Sequence, residues 1–182
     1  MRRPTPARHA LRPGRCARLG AVLLPLVLAS CSGDGGPPPP CPAVVRVSDA
    51  SHLTRFVGAG RDLTDVAFEA GVRRSDSVCY YGDNSIEVDL TLQFGVAEGP
   101  ANPNHTARFS YFVAVATKDR KILAREEFPI EVTFEGNRRQ MVALDEVVPN
   151  IPLKEGENGN DYLVFVGIAM TPAELQYNQA NR

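Results

Sequence analysis

The sequence has no tryptophan, three methionines, three histidines and four cysteines in 182 residues. It carries no CxxC pair, no HExxH, no G-x-S-x-G and no phosphate-loop glycine pattern, so the usual signatures of zinc centres, hydrolases and nucleotide enzymes are missing. No apolar run approaches the roughly 20 residues needed to cross a bilayer as a helix. Lysine and arginine are also scarce where a nucleic-acid binder would need them. Six of the 20 basic residues (Arg2, Arg3, Arg8, Arg12, Arg15 and Arg18) fall in residues 1–30, which hold no acid. Residues 31–182 therefore set 14 basic residues against all 21 acids, a net charge of −7, which argues against a phosphate-binding surface. With 43% hydrophobic and 23% charged residues, the composition fits one soluble domain rather than a coiled coil, a collagen or a disordered polymer.

The basic start leads into an apolar run, Leu19 to Ser30, too short to span and ordered as a signal peptide is: basic, then apolar, then small. Leu28-Ala29-Ser30-Cys31 resembles the lipobox of bacterial lipoproteins. That resemblance implies that Cys31 is lipidated and, after cleavage, becomes the first residue of the mature chain, held to a membrane by two or three acyl chains. One chain binds only marginally, whereas two or three hold firmly. In such lipoproteins an Asp after the lipidated Cys favours the inner membrane. Here Ser32 stands there, so an outer-membrane anchor facing the periplasm is expected.

Residues 31–40 read as the lipidated Cys followed by a Gly/Pro-rich tether, extended at about 3.1 Å per residue through the prolines. Of the four cysteines, Cys16 lies in the removed segment and Cys31 takes the lipid, which leaves Cys41 and Cys79. In an oxidising envelope two such thiols are expected to pair. A metal pair or a catalytic thiol would need partners that the sequence does not supply.

Residues 41–182 are expected to form one domain, and their hydrophobic period is mostly two. From Ile86 to Val96 the apolar residues alternate with Glu87, Asp89, Thr91 and Gln93, as in a strand with one wet face. Further strands are read at Val44–Val47, Val66–Val72, Ala107–Thr117, Ile122–Phe128, Ile130–Phe134, Gln140–Val148 and Asp161–Thr171. Pro129 interrupts one of them and suggests an edge or a bulge. Thr171-Pro172-Ala173-Glu174 reads as a capping box opening a short C-terminal helix. The expectation is a mainly β fold, an antiparallel β-sandwich. An immunoglobulin-like strand order is compatible with it, and an open barrel is the alternative.

Candidate sites are few. Asp62, Asp65 and Glu69 gather in one run, and on a strand Asp65, Ala67 and Glu69 would share a solvent face, where carboxylates gain nothing for catalysis. Glu155 to Asp161 could suggest a calcium loop, but its spacing fits a polar turn instead. His52 and His105 have no ligand-spaced neighbours and are expected on the surface. Asn104-His105-Thr106 matches a glycosylation sequon, a pattern too short to carry weight. No catalytic residue, metal or cofactor is implied. Cys41-Pro42, Gly60 to Val66, Tyr111 to Val115, Leu123 to Phe128 and Thr171 to Leu175 together resemble a family of uncharacterised bacterial lipoproteins. The resemblance implies a one-domain, periplasm-facing lipoprotein and brings no activity with it. The expected function is a non-enzymatic structural or protein-interaction module whose partner is another envelope protein, with Lys118–Glu131 as the contact segment. A carrier of a small apolar ligand is the alternative, and an enzyme of scattered residues the third possibility.

Overall fold

The computed structural model describes residues 38–181; the expected signal peptide, Cys31 and most of the tether lie outside them. Among the described residues, nine strands form two sheets. One holds β1 (Ala43–Arg46), β9 (Tyr162–Ala169), β5 (Thr106–Thr117) and β6 (Ile122–Thr133), in that order. The other runs β2 (His52–Phe56), β3 (Val66–Tyr81), β4 (Ser85–Glu98) and β7 (Gln140–Val147), with β8 (Asn150–Pro152) continuing the pairing along β4. Both sheets are open, and a single core is packed between them: a β-sandwich. Helix α1 (Pro172–Ala180) follows β9, capped by Thr171 and Glu174 as the sequence predicts.

Alternation decides which side chains enter the core. Ile86, Val88, Leu90, Leu92, Phe94 and Val96 of β4 are all buried, and they meet Ala107, Phe109, Tyr111, Val113 and Val115 of β5 from the opposite sheet. Phe94 packs against Phe109 and Tyr111 at ring separations of 5.9 and 4.9 Å. β9 lies between β1 and β5, and its apolar character on both faces matches that central place.

Several details differ from expectation. The sandwich is not wholly antiparallel, because β1 runs parallel to β9. The orders β1-β9-β5-β6 and β2-β3-β4-β7 also differ from the A-B-E-D and C-F-G sheets of the immunoglobulin fold. Strand β3 extends to Tyr81 instead of ending at Val72, and β2 went unpredicted. Strand β6 is also continuous: Pro129 sits opposite Ser110 on an edge strand, where its missing N–H interrupts nothing inside the sheet.

The acidic run at 62–69 is also placed differently. Asp65 ends a 3₁₀ turn, where Asp62 and Asp65 cap each other's backbone, and the strand begins only at Val66. Ala67 is buried and Glu69 exposed, so Asp65, Ala67 and Glu69 do not share a solvent face.

Candidate functional site

Cys41 and Cys79 are disulfide-bonded, with Cα atoms 5.7 Å apart. The bond fastens the entry of the chain to the far end of β3, and Tyr81 reinforces it. The Tyr81 hydroxyl donates to the Pro40 carbonyl and accepts from the Gly159 N–H. The domain's hold thus begins at Pro40, one residue before the expected boundary.

Gly159 belongs to the acidic loop, which is a structural turn. Asn158 and Asp161 cap its 3₁₀ segment, Lys118 pairs with Asp161 at 3.0 Å, and the Tyr162 hydroxyl donates to Glu157. The Tyr162 hydrogen bond, together with the Lys154 N–H, holds the Glu157 carboxyl below its ordinary range. The Asn158 N–H and the Lys118 ammonium do the same for Asp161. Tyr162 is correspondingly raised to about 12, chiefly by its bond to Glu157.

Both histidines of the domain stand beside a glutamate, which their sequence separation hides. His52 Nε2 is 3.9 Å from Glu69. His105, with φ of 51°, turns its Nδ1 onto Glu98, whose side chain is only 4% exposed and also receives Arg139 at 3.2 Å. No hydroxyl or thiol is hydrogen-bonded to His105 among the described residues. The trio holds the loop from Gly99 to His105 onto the end of β4.

A second polar link, unseen in the sequence, crosses the core. The Tyr111 hydroxyl donates to Asp145 Oδ2 at 2.8 Å, joining β5 to β7, and the Tyr111 ring stacks on Phe128 at 5.2 Å. Burial first, and then Asp145, push that hydroxyl well above the ordinary tyrosine range. Beside it a cleft of about 500 Å³ opens between β6 and β7, lined by Val113, Val115, Phe128 and Val147 with Arg125 and Glu126 among its polar residues.

Open sheets leave edges, and an edge offers unpaired N–H and C=O groups to any strand that meets it. The sheets end in four strands, β1, β2, β6 and β7, and β3 adds an open stretch past Val72, where β2 stops and Arg73, Arg74 and Asp76 supply charge. β1 is four residues long, too short for an extended ladder. β2 carries a bulge between Arg55 and Phe56 and is attended by α1. The Asn178 side chain donates to the His52 carbonyl, Glu174 pairs with Arg55 at 2.6 Å, and Tyr177 packs edge-on to Phe56 at 5.1 Å. β6 has Pro129 and the charged run Arg125-Glu126-Glu127, two of the devices that keep edges from pairing. β7 has neither. Its eight residues, Gln-Met-Val-Ala-Leu-Asp-Glu-Val, contain no proline, lysine or arginine and pair with β4 in unbroken register. Val142 and Leu144 on its outer face are 59% and 69% exposed.

Compared with known proteins, the chain matches no family model, no curated protein and no solved structure.

Proposed function

We propose that this chain is an envelope lipoprotein, anchored through Cys31, whose sandwich is a non-enzymatic contact module. The observation that carries this reading is the edge of β7, open and apolar from Met141 to Leu144, while the other sheet-ending strands are short, covered or charged. Apolar side chains on an open strand are what strand-addition recognition uses: the backbone supplies the ladder and alternate side chains the specificity. The contact accordingly lies on β7 rather than on Lys118–Glu131, where Pro129 and the charges work against pairing. The lipobox resemblance and the Gly/Pro-rich tether support the anchor, and Ser32 favours an outer membrane facing the periplasm.

Crosslinking in intact cells followed by mass spectrometry tests the contact. Crosslinked peptides containing residues 140–147 are the expected result. Crosslinks that avoid β7, together with an apolar molecule retained in the purified protein, would overturn it in favour of a carrier. The cleft between β6 and β7, with Val113, Val115 and Phe128 in its wall, is what favours that second reading.

A further inference from the structure

Resting on the contact reading above, we propose that the occupant of the β7 edge is a second copy of this chain, joined by antiparallel pairing of β7 with β7 about a two-fold axis at Ala143. The strand's own charge pattern points there. Met141 to Leu144 form an apolar half, and Asp145 and Glu146 an acidic one. Pairing in a sheet must keep each side chain on its own face, so residues meet in alternate register. Val142, Leu144 and Glu146 lie on the outer face, opposite Gly95, Gln93 and Thr91 of β4; Met141, Ala143 and Asp145 oppose Val96, Phe94 and Leu92 on the core side.

Antiparallel pairing centred on Ala143 then sets Val142 against Leu144 of the second copy, and Leu144 against its Val142. The four most exposed apolar groups of the two edges cover one another. Gln140 meets Glu146, and Met141 meets Asp145, so no carboxylate faces a carboxylate. Parallel in-register pairing would do the reverse, stacking Asp145 on Asp145 and Glu146 on Glu146, and like charges directly opposite destabilise a strand pair. The antiparallel arrangement is isologous: one patch serves both copies and the symmetry closes at two. It also places only this edge in the contact, since β1, β2 and β6 each carry their own protection.

The test uses the full-length protein purified in its native lipidated state in mild detergent. On oxidation, a Val142→Cys, Leu144→Cys double variant should yield at least about tenfold more covalent dimer than either single variant, because only the double variant brings two thiols within disulfide reach in this register. Light scattering, corrected for detergent, should give the wild type twice the single-chain mass. Leu144→Lys should restore the single-chain mass without lowering the melting temperature, since the side chain is mostly exposed. A wild type of single-chain mass with no trapping in the double variant overturns self-pairing. If β7 then still crosslinks to a different protein in cells, the contact reading survives without it; if β7 crosslinks to nothing, both fall.

Discussion

Tyr111 spans the two sheets, its ring between Phe94 and Phe128 and its hydroxyl on Asp145. Replacing it with phenylalanine keeps the ring packing and removes only the hydrogen bond. Tyr111→Phe is expected to cost about 1.5–3 kcal/mol, the range for a hydrogen bond to a charged group, measured by denaturant unfolding. A loss of less than a few tenths would mean that the link is idle. The alternation of β5 places Tyr111 inward from sequence alone. Its acceptor is not legible, because Asp145 is 34 residues distant and reads as part of a polar strand end; only the stacking of the sheets brings the two together. The His105–Glu98–Arg139 trio is hidden for the same reason. The Cys41–Cys79 bond was legible because the expected signal peptide and lipobox account for the other two cysteines.

At the scale of elements, α1 has a role that its capping box does not announce. The box predicts where the helix starts; the contacts to His52, Arg55 and Phe56 make it the cover of an edge. Ending the chain after Thr171 should expose β2 and produce concentration-dependent association beyond a dimer, visible by light scattering. β2 itself escaped prediction because, of its five residues, only Leu53 and Thr54 are buried, so no alternation marks it. The loop from Lys154 to Asp161 carries a pH dependence. Glu157 and Asp161 titrate below their ordinary values in the folded chain. The stability they add is present above those ordinary values, near 4.5 and 3.8, and is lost as pH falls through the depressed ones. The melting temperature should therefore drop as pH falls below those ordinary values, and a Glu157→Gln, Asp161→Asn variant should show a shallower drop. An identical profile would remove these two groups from the account. The bond closing the 38-residue separation between Cys41 and Cys79 adds about 4 kcal/mol on the chain-entropy account. Cys79→Ala should lower the melting temperature yet leave the circular-dichroism spectrum that of a β protein, because the sandwich core is complete without it.

For the whole molecule, the two-layer β architecture follows from period-two strands too amphipathic to stay exposed, and that much the sequence carries. The strand order does not follow, since parallel pairing of β1 with β9 and the sequential β2-β3-β4 sheet depend on long-range choices that local pattern leaves open. The sheet-ending strands emerge only from that order, and with them the site proposed for contact. One measurement bears on it most directly: a photoreactive amino acid placed singly at Ala43, His52, Glu126 and Leu144, one on each sheet-ending strand, in the full-length protein irradiated in intact cells. The account predicts a discrete crosslinked product from Leu144 and none from the other three. A product from Glu126 or His52 with none from Leu144 would contradict it.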